Sequence, residues 1–411
     1  MKGLIDTVSL HRFLEAEMPA ALEMLRQMVA INSFTANREG VDRLGRLTAE
    51  SFAALGFAPE FVPSANPQWG DHLVMTRPGR SGRSVAIVSH LDTVFPPEEE
   101  QANDFHWQVE GDRVFGPGTL DIKGGTIMMW LVLKALRAVA PKVFDEITWK
   151  LFWNSSEECL SPDFEAVCRT RFEQTTLAAL VFEAENRAGA THLMVAARKG
   201  RLTWKLTVTG RAAHAGGALA QGANAVVQLA QTIERIDAMT DFAKGLTFNV
   251  GKICGGTVLN RVPHEAFAEG EFRALSPEIC AEAKSRLLAL AGPGEVRSAA
   301  DGYPCELQVE ITSESRPWPR NPATDRLLDL WIQTAKQQGM AVRGEERGGL
   351  SDGNGFWDVV PTLDGLGPWG DNDHCSERSP DGTKLPEFVE ISSFVPKAIL
   401  NTVAIVDLAS Q

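Results

Sequence analysis

The chain has 411 residues, 44% of them hydrophobic, and a formal net charge of −13. That length supplies a large core and suits one large domain with a smaller one better than a single domain. The acidic balance excludes nucleic acid as a general partner, because no basic field exists to displace counterions; an anionic substrate held by a local arginine stays allowed.

The six cysteines (Cys159, Cys168, Cys254, Cys280, Cys305 and Cys375) are scattered, with no CxxC pair. That is the pattern of free thiols in a reducing compartment. The first residues show no basic segment followed by an apolar core. No apolar run approaches the roughly 18 residues of a membrane span. A cytoplasmic protein with no membrane partner is expected.

Apolar residues at helical spacing (Leu22, Leu25, Met28, Val29) predict a helix over 14–30. A second, over 40–55, is stopped by Gly56, a residue suited to the position after a helix. Short strands are expected at 58–63 and 71–76, then a buried strand over 84–89 with four apolar residues in a row. His90 and Asp92 are two apart, so an extended backbone points both to one face. At the carboxyl end of a parallel strand, that face looks into the ligand crevice of an open α/β sheet. Asp121 leaves a Gly/Pro loop ahead of an apolar helix over 126–140. A strand rich in branched and aromatic residues, 146–153, runs into Asn154-Ser-Ser-Glu157-Glu158, and the strand at 180–183 ends on Glu183. Alternating strands and helices imply a largely parallel sheet covered on both faces.

The texture changes near Arg198. Residues 201–209 alternate apolar and polar, as in a strand with one wet face. A helix over 222–239, strands at 246–253 and 265–274, a helix capped by Ser276-Pro277 and a strand near 306–313 follow. This order is a small α+β unit, a split βαβ arrangement inserted into the first domain. After Arg316 the α/β texture returns, with a helix over 323–339, strands near 341–345 and 361–365, and a helix over 389–409. The expected division is 1–198 and 313–411 for the larger domain and 199–312 for the insertion.

His90, Asp121, Glu157, Glu158, Glu183 and His374 all fall at expected strand ends or loops of the larger domain. A His-x-Asp pair alone is more often a structural hydrogen-bond cluster. The remaining groups supply what a metal site needs. Two imidazoles and several carboxylates suit a pair of zinc ions sharing one carboxylate, with cobalt or manganese as alternatives. Two such ions activate water and polarise a carbonyl oxygen. Glu157 and Glu158 are neighbours and point differently, so one can bind metal while the other faces the substrate.

Six motifs together carry a resemblance: Ser89-His-Leu-Asp-Thr-Val, Gly116-Pro-Gly-Thr-Leu-Asp-Ile-Lys-Gly-Gly, Ser156-Glu-Glu, Val181-Phe-Glu, Gly210-Arg-Ala-Ala-His-Ala-Gly and Asp373-His. The chain resembles, over nearly its whole length, the di-zinc family of glutamate carboxypeptidases, aminoacylase, acetylornithine deacetylase, succinyl-diaminopimelate desuccinylase and peptidase T. Val109-Glu-Gly-Asp-Arg-Val-Phe-Gly-Pro-Gly, Glu345-Glu-Arg-Gly-Gly-Leu-Ser-Asp and Leu366-Gly-Pro bring it nearest the glutamate carboxypeptidase branch, of carboxypeptidase G type. The resemblance implies a catalytic domain of zinc-exopeptidase type with an inserted dimerisation or lid domain. Asp121 would lie between the ions, His90 and Glu183 completing one site, Glu158 and His374 the other. Glu157 would be the general base that takes a proton from water and returns it to the leaving nitrogen, and Asp92 would orient His90. A cis Asp121–Ile122 peptide is implied as well.

His214 would reach the active site of the other subunit of a homodimer and donate a hydrogen bond to the developing oxyanion. Asn260 and Arg273 match positions that hold a substrate carboxylate, with Arg316 a weaker candidate of the same kind. His11, His72, His106, His192 and His264 fall outside the motifs and read as structural or solvent-facing. The implied activity is hydrolysis of an amide or peptide bond next to a free α-carboxylate, on an N-acyl amino acid or short peptide. A deacylase of N-acyl amino acids or a di/tripeptidase is the alternative, and a non-catalytic ligand-binding relative the second. Ser89 stands where the family has glycine, Gly349-Leu-Ser-Asp352 where it has Gly-Gly-Thr-Asp, and Cys159-Leu-Ser-Pro where glycine-rich text is usual. No ligand is lost by these departures, but they bear on the shape of the pocket.

Overall fold

The computed structural model describes residues 5–411 and divides them into two compact units. The larger comprises residues up to 196, Arg320–Glu345 and Ser351–Gln411; the smaller comprises Ala197–Pro319 and Glu346–Leu350.

The larger unit is built on a six-stranded sheet in the order Ala58–Val62, His72–Arg77, Thr148–Asn154, Ser84–His90, Thr176–Val181, Thr362–Leu363. The last four strands run parallel, and the first two pair antiparallel at one edge. Every residue of Ser84–His90 is buried, the continuous apolar pattern expected of a central parallel strand. Trp149, Leu151 and Trp153 on one side of the neighbouring strand join Leu131 and Leu136 of helix Lys123–Val139 and Leu400 of helix Phe394–Ala409 in one core cluster. Burying a side chain of Leu or Phe size is worth about 1.5–3 kcal/mol, so dozens of such groups outweigh any local preference.

Capping places the long helices. Asp6 accepts from the backbone N–H of Val8 and Ser9 at the start of Thr7–Val29. Gly56 takes a φ of +90° after helix Arg38–Ala53. The C-terminal stretch corrects one expectation. Ile391–Ala409, 19 residues, is long and apolar enough to cross a membrane by composition alone. Most of it is buried in the core, where Lys397 pairs with Glu185 at 2.6 Å and Asn401 donates to Leu366 O. Such a helix is apolar all round because it is surrounded by protein.

The smaller unit is a five-stranded antiparallel sheet in the order Thr247–Gly255, Glu265–Ala274, Gly200–Thr209, Pro304–Ser315, Gly292–Arg297. Strand Gly200–Thr209 alternates strictly between buried and less buried residues. Its inward Leu202, Trp204, Leu206 and Val208 pack with Leu229 and Ile236 of helix Ala225–Asp237 and Leu287 of helix Pro277–Leu288. Ser276 caps the latter helix through the N–H groups of Glu278 and Ile279, with Pro277 in its first position. Edge strand Gly292–Arg297 lies outside the expected elements; its Gly292-Pro-Gly start reads as a turn, and pairing with Pro304 to Leu307 makes it a strand.

Candidate metal centre

Strand Ser84–His90 ends on His90, whose ring is 1% exposed. Asp92 follows, completely buried. Its main-chain oxygen lies 3.0 Å from His90 Nδ1 and its carboxylate 3.4 Å from the same nitrogen. A group fixed at Nδ1 leaves Nε2 to face the site. The Asp92 carboxylate also accepts from Thr35 Oγ1 (2.6 Å) and from the backbone N–H groups of Glu157 (3.0 Å) and Glu158 (3.2 Å). One buried carboxylate thus fixes both an imidazole and the Glu157–Glu158 turn.

The same turn is held from below by His72, one of the residues read as structural. His72 is buried between Asp163 (Nε2 to Oδ2, 3.1 Å) and Ser155, whose N–H and Oγ lie 3.1 and 3.0 Å from Nδ1. The Ser–His–Asp order suggests a hydrolytic triad. Here Ser155 is fully buried and spends its hydroxyl proton on Gly70 O, so the cluster is a support.

Asp121 enters from the Gly116–Leu120 loop, and the Asp121–Ile122 peptide is cis. Its two oxygens face different partners: Oδ1 lies 2.9 Å from His90 Nε2, and Oδ2 lies 3.3 Å from His374 Nε2. Glu183 Oε1 is 3.7 Å from His90 Nε2, and Glu158 Oε2 is 3.4 Å from His374 Nε2. The donor groups form two sets, His90–Asp121–Glu183 and Asp121–Glu158–His374, with the ligand atoms of each within 4.8 Å of one another. Gly125 allows this convergence. A Cβ there would sit 2.1 Å from Phe182 O, so only glycine lets the helix after Asp121 lie against the strand end that delivers Glu183.

Burial opposes charge on His90, yet hydrogen bonds to Asp121 and Asp92 raise its pKa well above the ordinary value. His374 is pushed up to about 11 by Asp121 first and Glu158 second. Burial raises Glu158 to about 7, Asp121 adding to the rise. Burial drives Glu157 well above the usual carboxylate range; His90 opposes this, and Glu158, Glu183 and Asp352 reinforce it. Oε1 of Glu158 is buried and has no hydrogen-bond partner among the described residues. The cluster therefore holds more negative charge than its two imidazoles can balance. Bound divalent cations would supply that balance, and the N/O donor set suits zinc-like ions. In the metal-free chain the His374 proton stabilises the fold below the ordinary histidine value, and this contribution is lost as pH rises through about 11. Metal would displace that proton, so its apparent affinity rises with pH.

Two further carboxylates escaped sequence reasoning as site residues. Asp352, named only as a departure from the family text, is partly buried, accepts from Asn154 Nδ2 at 2.7 Å and is raised by desolvation to about 7. Glu387 is fully buried directly before strand Phe388–Glu390. It accepts from the N–H groups of Leu120 (2.7 Å) and Asp121 (3.1 Å). Its only sequence signal is a carboxylate leading into an apolar strand.

In the smaller unit, His214 is exposed, and its Nδ1 accepts from the N–H groups of Gly216 (3.1 Å) and Gly217 (3.0 Å). Two donors at Nδ1 place the ring proton on Nε2. Asn260 is next to it in space, its carbonyl accepting from Ala215 N–H at 3.0 Å. Arg273 is engaged: Nε donates to Glu271 Oε1 (2.8 Å) and a terminal nitrogen to Gly348 O (2.9 Å). Arg316 is exposed beyond the end of strand Pro304–Ser315.

Comparison with known proteins bears on this centre. Residues 196–296 match the M20 peptidase dimerisation domain. The chain is 27% identical over 397 residues to carboxypeptidase G2 of Pseudomonas sp. (strain RS-16), covering 96% of this chain and 90% of that protein. A tripeptidase from Staphylococcus aureus shares the fold with a TM-score of 0.77 at 20% identity, over 96% of this chain and 99% of the other. An M20-family metallo-carboxypeptidase from Sulfolobus solfataricus does so with a TM-score of 0.68 at 16% identity, over 95% and 99%. A dinuclear metal-binding M20 peptidase from Bacillus subtilis does so with a TM-score of 0.66 at 13% identity, over 96% and 99%.

Proposed function

We propose that this chain, which belongs with the M20 peptidases and is a hydrolytic peptidase, is a dinuclear-metal exopeptidase that cleaves an amide or peptide bond next to a free α-carboxylate. The observation that carries this reading is Asp121, whose two carboxylate oxygens each face a different imidazole. A carboxylate so placed could serve both donor sets, with His90 and Glu183 holding one ion and Glu158 and His374 the other. When bound, the ions would polarise the scissile carbonyl and make water more acidic. Zinc fits the donors best, with cobalt and manganese compatible.

The protein's own groups do the rest. Glu157 sits beside the donor sets, and its raised proton affinity lets it take a proton from water and pass it to the leaving nitrogen. Asp92 holds the Glu157 N–H and so fixes that side chain's origin. His214 presents an Nε2 proton because Nδ1 is occupied, the form that donates to an oxyanion. Asn260 lies beside it as a substrate contact. Arg273 can serve a substrate carboxylate only by sharing or leaving Glu271.

A homodimer is part of the proposal. Besides the match to a dimerisation domain, Val226 and Val227 on helix Ala225–Asp237 and Ile253 on edge strand Thr247–Gly255 are exposed. An unpaired edge with apolar neighbours favours association with a second copy.

His214→Ala is expected to lower kcat by about 10²–10³, the effect of losing one oxyanion donor, with metal content unchanged. Steady-state kinetics beside metal analysis checks this, and wild-type turnover contradicts it. The substrate assignment is tested with a panel on the metal-loaded enzyme. Cleavage of N-acyl-glutamate and carboxy-terminal glutamate substrates above acetylated neutral amino acids and di- or tripeptides supports the glutamate-carboxypeptidase reading. The reverse order selects the deacylase or peptidase alternative, and no hydrolysis of any member overturns the reading.

A further inference from the structure

We infer that Glu387 is a positioning residue of the dinuclear centre, fixing Asp121 relative to His374; this rests on the metal site proposed above. Glu387 lies 13 residues after His374 in the sequence and at a crossing of three segments in the fold. Its side chain reaches the loop that carries Asp121, where Oε1 accepts from the consecutive N–H groups of Leu120 (2.7 Å) and Asp121 (3.1 Å). Its backbone N–H donates to Cys375 O at 2.7 Å, one residue past His374. Its backbone carbonyl accepts from Gly116 N–H at 3.4 Å, at the start of the Asp121 loop. One residue therefore spans from the peptide of the shared ligand to the peptide beside a ligand of the second set.

The geometry has a chemical reason. Asp121 and His374 both come from irregular backbone: Asp121 follows the glycine turn at Gly118 (φ +75°), and His374 itself has a φ of +62°. Neither gains the rigidity that strand Ser84–His90 gives to His90. Metal affinity depends on ligand atoms already standing at coordination distance, and groups behind the ligands set that distance. Glu387 can do so because it is completely buried and extends from strand Phe388–Glu390, which pairs with Arg113–Phe115. Its other oxygen, Oε2, is buried and accepts no hydrogen bond among the described residues. A buried carboxylate kept with only one oxygen satisfied is costly as a mere stabiliser. The two peptide N–H groups account for its presence.

Two substitutions separate reach from charge. Glu387→Gln keeps an acceptor at the same distance and removes the ionisable group, whose pKa burial already raises to about 8. Glu387→Asp keeps an ionisable carboxyl and withdraws the acceptor by one methylene. The full chain is stripped by chelation, and zinc is titrated back by calorimetry, with thermal unfolding of each metal-free variant as a check on folding. Glu387→Gln is expected to bind two ions within about threefold of wild type. Glu387→Asp is expected to bind at least one of them about 10–100-fold more weakly, the usual effect of losing a group behind a ligand, and to regain turnover in excess zinc. Wild-type affinity in Glu387→Asp, or equal loss in a folded Glu387→Gln, overturns the assignment. If Glu387→Asp does not fold, loss of zinc affinity in a folded Glu387→Gln still overturns the assignment. A wild-type chain that takes up no zinc overturns the metal site itself and this inference with it.

Discussion

Asp121→Ala is expected to leave the folded chain unable to retain two zinc ions and to cut turnover by at least about a thousandfold, several kcal/mol of lost charge stabilisation. Among the described residues, no other side chain belongs to both donor sets. His374→Ala would disable one set, and the His90–Asp121–Glu183 set would still take an ion. Asp121→Ala removes an oxygen from each set. It also removes the largest cause of the raised His374 pKa, so that value falls from about 11 toward the ordinary one. The measurements are zinc per chain after gel filtration, hydrolysis rate, and the titration of His374 in the metal-free variant by NMR. Two tightly held ions in Asp121→Ala would contradict the shared-ligand assignment.

The second large effect is expected at Glu157. Glu157→Gln is nearly isosteric and cannot accept a proton, so turnover falls by about 10²–10⁴, the range of general acid–base catalysis. Its metal content stays at the wild-type value, because Glu157 is in neither donor set. KM changes little, since the amide fills the same space. The pair Glu157 and Glu158 thus gives opposite signatures from adjacent positions: Glu158→Gln weakens metal binding, and Glu157→Gln leaves it alone. If Glu157→Gln loses metal while Glu158→Gln keeps it, the two roles are exchanged.

Two of the proposed ligands were legible because regular structure delivers them. His90 and Glu183 follow runs of apolar strand residues, and the parallel sheet puts such strand ends along one edge. Asp121 and His374 were legible only through the motifs around them, since no periodicity points to a residue in a loop. Glu387 and Asp352 were hidden for a related reason. Each acts on a group far away in sequence, Glu387 on Leu120 and Asp121, Asp352 on Asn154. Arg273 shows the opposite case. Glu271 is two residues before it on one strand, hence on the same face, and the resulting ion pair could have been read from the spacing. In the smaller unit, the alternation of residues 201–209 made that strand plain. Glu346–Leu350 groups with this unit although it lies more than 25 residues past Pro319 in sequence. Backbone hydrogen bonds such as Lys199 N–H to Arg347 O make that link, and no side-chain pattern announces it.

The central claim is that two cations share Asp121. Anomalous diffraction from crystals of the zinc-loaded enzyme measures this directly. Two peaks are expected, both within coordination distance of Asp121, one also contacting His90 and Glu183, the other Glu158 and His374. A single peak, or peaks coordinated away from Asp121, would contradict the account.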